Sequence, residues 1–127
     1  IGDICTANKG ECSVRCNKLY IKESKIIPSN ISHRKDFFIN YKLNNNNLLK
    51  RESDIIWLIY NLNEKRKIES DSNIRFNRSS SGSIDCINHY FKRGLHKGLY
   101  EIKYYHNEHY DKKRNCYPLY TKILDIK

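Results

Sequence analysis

The sequence predicts an all-α fold, in the form of a small helical protein stapled by disulfides. Apolar residues recur mostly at helical spacing along the chain. Five cysteines occur in 127 residues, and small domains with modest cores are often stabilised by disulfides. Hydrophobic residues make up 39% and charged residues 30% of the chain, a balance that indicates a folded domain.

Three helices are predicted in the first half. The first covers residues 13–26 and stops before Pro28. One face of it carries Cys12, Cys16, Leu19 and Tyr20. Ser32 caps the second helix, whose inner face carries Phe37, Phe38 and Tyr41. The third begins at Ser53 and Asp54, and its apolar stripe follows helical spacing: Ile55, Leu58, Ile59 and Leu62.

The second half begins with a predicted linker at 69–83, where the run Ser79–Ser83 is polar and flexible. Ser83 caps a fourth helix and Gly94 ends it. Its inner face carries Ile84, Ile87 and Phe91. The segment around Leu99, Ile102 and Tyr105 fits a helix, although its tyrosines also suit a strand. Pro118 opens a last short helix.

A faint internal repeat divides the chain into two modules, 1–68 and 84–127. Residues 16–22 and 116–122 share Cys, Leu, Tyr and Lys at equivalent positions. Three cysteines have a tyrosine four residues later: Cys16 with Tyr20, Cys86 with Tyr90 and Cys116 with Tyr120. On a helix, residues four apart share a face, so each tyrosine is expected to cover the sulfur of its own cysteine.

The cysteines are expected to form two disulfides and to leave one thiol free. Cys86 and Cys116 flank the second module, and we expect them to pair. Cys12 and Cys16 lie one turn apart on one helix face, where parallel Cβ vectors strain a bridge. Cys5 lies on the chain before the helix and is the easier partner. We choose Cys5–Cys16, which leaves Cys12 as a buried free thiol.

A secreted, strongly basic protein is expected. Dense cysteines indicate an oxidising compartment, and two N-glycosylation sequons start at Asn30 and Asn77, in stretches predicted to be loops. The chain does not begin with Met, so we expect that a targeting segment has been removed. Its longest strongly apolar run, at 55–60, is too short for a membrane span. The formal charge is +10, which suits anionic partners such as nucleic acid, membrane surfaces or acidic proteins.

Paired cysteine and tyrosine motifs, two in a secreted chain, resemble the bicycle family of gall-forming aphid salivary effectors. The resemblance rests on the span from Cys86 and Tyr90 to Cys116, and on the span from Cys5 to Cys16 and Tyr20. No adjacent Cys-Tyr-Cys triplet is present, and the two spans differ in length. The resemblance implies secretion into plant tissue and a role in altering host cells, and it carries no catalytic residues with it.

The sequence therefore predicts a non-enzymatic secreted effector that binds a host or partner macromolecule, most simply a protein, with nucleic acid or an anionic surface as alternatives. No cofactor is expected, and the Cys and His spacings do not match a zinc site. Two other functions stay open. One is a basic hydrolase such as a ribonuclease, with His89, His96 and Lys97 as candidates for acid–base work. The other is a membrane-active or anion-binding protein.

Overall fold

The computed structural model describes residues 21–44, 49–107 and 118–127. Within these ranges the protein contains eight strands and no α-helix. The strands are β1 (Ile21–Ile27), β2 (Phe37–Leu43), β3 (Ile55–Asn61), β4 (Arg66–Ile68), β5 (Ser72–Arg78), β6 (Ile84–Phe91), β7 (Gly98–His106) and β8 (Tyr120–Ile126). A short 3-10 turn at Glu52–Asp54 precedes β3. The described residues hold no helix long and apolar enough to cross a membrane.

The all-α prediction is wrong, because the segments predicted as helices are strands wherever the structure describes them. β3 shows the reason. Ile55 and Ile59 are buried and four residues apart, a separation that places two side chains on one face of either a helix or a strand. The segment is short and rich in isoleucine, whose branched Cβ favours the pleated surface of a sheet. The segment around Leu99, for which a strand stayed open, forms β7.

The strands form two antiparallel four-stranded sheets. Sheet A has the order β1-β2-β6-β5, and sheet B has the order β4-β3-β7-β8. Strands from both predicted modules pair within each sheet, since β2 pairs with β6 and β3 pairs with β7. The stretch 69–83, predicted as a linker, contains β5.

The two sheets pack face to face as a sandwich. Alternate residues of each strand point inward and fill the space between the sheets. The most deeply buried apolar or aromatic side chains are Ile39, Ile87, Phe91, Tyr100, Ile102, Tyr104, Leu124 and Ile126. Polar contacts also cross between the sheets. Trp57 Nε1 donates to Ser72 Oγ at 2.9 Å, and Lys122 Nζ donates to Ser24 Oγ at 2.9 Å.

A chain of three polar groups runs through this core. The hydroxyls of Tyr41 and Tyr104 lie 2.7 Å apart, and Tyr104 Oη lies 2.8 Å from His89 Nδ1. His89 is fully buried, and its Nε2 has no hydrogen-bond partner within the described ranges. Burial lowers the pKa of His89 to about 3, because a charged imidazolium would lose its hydration there. Burial likewise raises the pKa of both tyrosines.

Candidate anion-binding pocket

Four connections meet at one end of the sandwich. They are the β1–β2 loop (28–36), the β3–β4 turn (62–65), the β4–β5 connection (69–71) and the β6–β7 loop (92–97). Between them lies an open cavity of about 400 Å³. Five cations line it. We call it the basic pocket, after the four of them that lie on the β1–β2 and β6–β7 loops: Arg34, Lys92, Arg93 and Lys97.

The β1–β2 and β6–β7 loops are joined by backbone contacts. Arg34 N–H donates to the Leu95 carbonyl at 2.9 Å, and Arg93 N–H donates to Asp36 Oδ1 at 2.7 Å. Gly94 has a φ of +55°, and a Cβ at this position would lie 2.2 Å from the Lys35 carbonyl oxygen. Only glycine fits such a close approach in the left-handed region. The cations therefore stand on loops that hold each other in place.

Two of the pocket cations have a backbone conformation that is uncommon outside glycine. Arg34 has a φ of 55° and Arg93 a φ of 64°. Such conformations carry a cost for L-residues and cluster at binding and active sites, where the surrounding structure maintains them. Here the backbone hydrogen bonds of the two loops fix both residues, and both long side chains line the cavity.

The four pocket cations are exposed, and none of them forms an ion pair with a carboxylate in the described ranges. The five cations that line the pocket outnumber its three carboxylates, and a surplus of positive charge raises the local potential and attracts anions. Arginine adds a planar fork of N–H donors that matches a phosphate or carboxylate. The pocket can therefore hold an anionic group.

The pocket also carries acidic residues. Glu64, Glu69 and Asp71 line it, and Asp71 lies beside Lys92, whose N–H donates to the Asp71 carbonyl at 2.9 Å. Glu64 Oε1 lies 3.0 Å from Arg66 Nη2, and Asn61 Nδ2 donates to Glu64 Oε2 at 2.9 Å. Glu69 and Asp71 form no ion pair within the part of the chain that the structure describes. They remain able to accept hydrogen bonds from a ligand that carries N–H groups.

Tyr100 forms part of the floor of the pocket. Its ring is buried, and its hydroxyl donates to the His96 carbonyl at 2.8 Å. Burial, together with the nearby Glu64 charge, raises the pKa of Tyr100 above its ordinary value. The hydroxyl therefore stays protonated at neutral pH and holds the β6–β7 loop against the sandwich.

Two histidines stand at the pocket rim. The ring centroids of His33 and His96 lie 5.1 Å apart, with planes inclined by 53°. Lys97 N–H donates to His33 Nδ1 at 3.1 Å, so the neutral His33 ring carries its proton on Nε2. Among the described residues no group of three metal-binding side chains occurs.

The ribonuclease candidates predicted from the sequence separate in the structure. His96 and Lys97 line the basic pocket. His89 lies in the core and cannot reach a substrate. Sequence reasoning did not single out His33 or Arg34, which reach the pocket only because β2 pairs with β6. The available clue was that charged residues flank both strands, at 33–36 before β2 and at 92–93 after β6.

Three of the four predicted disulfide positions lie outside the described residues: Cys5, Cys16 and Cys116. The predicted free thiol Cys12 and the repeat residue Tyr20 lie outside them too. Cys86 is half-buried on the outer face of β6 and has no disulfide partner among the described residues, and Asn77 Nδ2 donates to its Sγ at 3.3 Å. Its pairing with Cys116 stays a prediction, as do Cys5–Cys16 and the free thiol of Cys12.

The tyrosines of the predicted repeat do not follow the helical arrangement. Residues four apart on a strand lie about 13 Å from each other, so Tyr90 does not cover Cys86. It packs on Phe38 instead, with ring centroids 5.1 Å apart. Tyr120 points into the sandwich and contacts Tyr41, with centroids 5.5 Å apart.

Both predicted glycosylation acceptors are exposed. Asn30 lies in the β1–β2 loop, as expected, whereas Asn77 lies in strand β5 rather than in a loop. Glycosylation at either position stays a prediction.

Comparisons with protein families, with curated proteins and with solved structures gave no match for this chain. The resemblance to bicycle effectors therefore stays a prediction.

Proposed function

We propose that this protein binds single-stranded nucleic acid and holds backbone phosphates in the basic pocket. The observation that carries the proposal is the group of four cations that form no ion pair with any residue the structure describes: Arg34, Lys92, Arg93 and Lys97. Phosphate contacts of this kind supply most of the affinity in sequence-independent binding. In this proposal the secreted binding protein expected from the sequence takes nucleic acid as its partner rather than a protein.

The carboxylates of the pocket favour nucleic acid over other polyanions. Glu69 and Asp71 line the same cavity as the cations. A sulfated polysaccharide offers mainly negative charge to these carboxylates, which would repel it. A nucleic acid presents phosphates together with bases whose amino groups donate to carboxylates. A pocket that is lined by both cations and carboxylates matches that combination.

The shape of the site favours a single strand. The cavity is bounded by loops from both sheets and is recessed at the end of the sandwich. A flat membrane surface cannot enter such a recess, and a rigid duplex presents its phosphates on a broad convex surface. A flexible strand can bend one or two phosphates into the pocket.

Fluorescence anisotropy with a labelled single-stranded 2′-deoxyoligonucleotide of about a dozen nucleotides tests this proposal. The variant Arg34→Asn/Arg93→Asn/Lys97→Gln removes three charges. Asparagine tolerates the left-handed conformation of residues 34 and 93, and the backbone donors of all three positions remain. We expect the variant to bind the oligonucleotide more weakly. We also expect the slope of log K against log salt concentration to be less steep by about 2, because each lost phosphate contact on a single strand reduces this slope by about 0.7.

Lys65→Asn is the matched control. Lys65 is also a cation with positive φ, at 55°, and it does not line the cavity. We expect its binding to stay close to that of the wild type. Equal affinity of the triple variant and the wild type would contradict the proposal. Stronger competition by a sulfated polysaccharide than by the oligonucleotide would also contradict it. Incubation of the protein with RNA tests the alternative ribonuclease function, which predicts degradation that His96→Gln abolishes.

A further inference from the structure

The outer face of sheet A carries two neighbouring aromatic side chains next to the basic pocket, Phe38 and Tyr90, which we call the aromatic platform. β2 and β6 pair so that Phe38 lies opposite Tyr90. Both point away from the core, since their neighbours Phe37 and Phe91 are buried and stacked on each other. The rings of Phe38 and Tyr90 lie 5.1 Å apart with planes inclined by 35°. Tyr90 is 36% exposed, so part of its ring is open to a ligand.

The aromatic platform adjoins the basic pocket. Lys92 lines the pocket and comes two residues after Tyr90, just beyond the end of β6. In extended chain, residues two apart are separated by about 7 Å. A chain seated on the pocket cations can therefore reach the Tyr90 ring within one nucleotide.

The cross-strand neighbours of the aromatic platform on this face, which lie in rows across the four strands, carry amides and cations. Asn73 pairs with Tyr90 across β5 and β6 and is exposed. In the next row, Asn40 Nδ2 donates to Asn88 Oδ1 at 2.6 Å. Lys25 and Arg75 occupy the outer positions of that row and are exposed. On the pocket side of Phe38 and Tyr90, the Asp36 carboxylate accepts the Arg93 N–H at 2.7 Å, and the Asp71 carbonyl accepts the Lys92 N–H at 2.9 Å. On the other side, the Glu23 carboxylate lies 3.9 Å from Lys42.

The outer face of sheet B is different. Its exposed large side chains include Leu99 and Ile123. Lys103 is paired with Glu101 at 3.6 Å and lies over the Tyr60 ring. Lys67 pairs with Tyr60 across β3 and β4, and it is the one exposed cation on the described part of this face that forms no ion pair. Sheet A carries two, Lys25 and Arg75, and adjoins the basic pocket, so charge complementarity assigns a nucleic acid strand to sheet A.

We propose that bases of a bound single strand stack on Tyr90 and Phe38, while the adjoining phosphates occupy the basic pocket. This inference rests on the proposed function and adds the surface that holds the bases. Every base has a flat π face, so an aromatic platform next to cations binds strands with little regard to sequence. The exposed Asn73 amide and the Arg75 guanidinium flank the platform and supply donors for base edges or further phosphates.

The experiment compares two oligonucleotides of equal length, one with bases and one abasic. Tyr90→Ala removes the platform, Tyr90→Phe keeps the ring, and Tyr60→Ala is a matched control on the outer face of sheet B. We expect Tyr90→Ala to weaken binding of the normal strand by about 5- to 150-fold, the loss of one stacked base. Tyr90→Phe and Tyr60→Ala should bind as the wild type does.

The abasic strand separates the two proposals. It retains phosphates, so the wild type and Tyr90→Ala should bind it equally, and the triple pocket variant should bind it more weakly. Equal loss of both strands in Tyr90→Ala, or no loss of the normal strand, would overturn the stacking surface and leave the pocket intact. Failure of the triple variant to weaken either strand would instead overturn the proposed function.

Discussion

Acidification is expected to destabilise the fold through His89. The imidazole is fully buried, and burial lowers its pKa in the folded state to about 3. In the unfolded chain a histidine has a pKa of about 6.5. Between these values the unfolded state binds a proton that the folded state cannot take, so the free energy of unfolding falls as the pH falls. The stabilising contribution is complete above pH 6.5 and is lost progressively toward pH 3.

The size of the effect follows from this difference in pKa. Each pH unit within the window costs about 1.4 kcal/mol, so lowering the pH from 7 to 5 removes about 2 kcal/mol of stability. Carboxylates titrate mostly below pH 5, so this range isolates the histidine. For a chain of this size, with an m value of about 2 kcal/mol/M in urea, the unfolding midpoint shifts by about 1 M.

Urea unfolding of the wild type and of His89→Phe at pH 7 and pH 5 measures the effect. Phenylalanine preserves a ring against Trp57 and Phe91, which now lie 4.8 Å and 4.2 Å from the imidazole centroid. Tyr104 would keep its hydrogen bond with Tyr41. We expect the wild type to lose about 2 kcal/mol more than His89→Phe over this pH range. Equal losses in the two proteins would refute the assignment of acid sensitivity to this buried imidazole.

Three further predictions concern stability measured by chemical unfolding at neutral pH. Gly94→Ala should lower the free energy of unfolding by about 3 kcal/mol, because the new Cβ would meet the Lys35 carbonyl at a positive φ. Its control is Gly82→Ala, where no atom lies within 4 Å of the new Cβ, and we expect a loss of about 1 kcal/mol there. Equal losses in the two variants would contradict the close approach at Gly94. Tyr104→Phe should lower the free energy of unfolding by about 1–3 kcal/mol, because the Tyr41 hydroxyl and His89 Nδ1 both lose their hydrogen-bond partner. Tyr41→Phe should cause a smaller loss of stability. A larger loss in Tyr41→Phe than in Tyr104→Phe would contradict the hydrogen-bonded chain of three groups. Asp54→Ala should lower the free energy of unfolding by about 1 kcal/mol, because the Asp54 carboxylate accepts the N–H groups of Lys50 and Arg51 at 2.7 and 2.9 Å. An unchanged unfolding midpoint would show that these hydrogen bonds add nothing to stability.

The positions of the elements could be predicted from the sequence better than their type. Pro28 and Gly94 were expected to end elements, and each follows shortly after a strand, β1 and β6. Ser53 and Asp54 were expected to start a helix. Asp54 instead ends a 3-10 turn, and its carboxylate accepts the N–H groups of Lys50 and Arg51, which precede that turn. Local chemistry places such boundaries, whereas the choice between helix and strand depends on pairing with residues far along the chain.

The candidate pocket was only partly predictable for the same reason. Lys92, Arg93 and Lys97 lie within six residues of one another, so the sequence alone shows them as a basic cluster. Arg34 comes from a loop almost sixty residues earlier, and its N–H meets the Leu95 carbonyl at 2.9 Å only in the folded sheet. No local pattern of residues predicts that meeting.

The hydrogen-bonded chain of Tyr41, Tyr104 and His89 has a consequence for how the two sheets are aligned. Purely apolar faces can slide over one another, because isoleucine and leucine side chains pack in many alignments. A slide by one residue pair would move Tyr104 on sheet B about 7 Å from its partners on sheet A. Three buried polar groups would then face hydrocarbon without partners, which is costly in a low-dielectric core. The polar chain therefore selects one alignment of the sandwich, and with it the side-by-side placement of the loops that form the basic pocket.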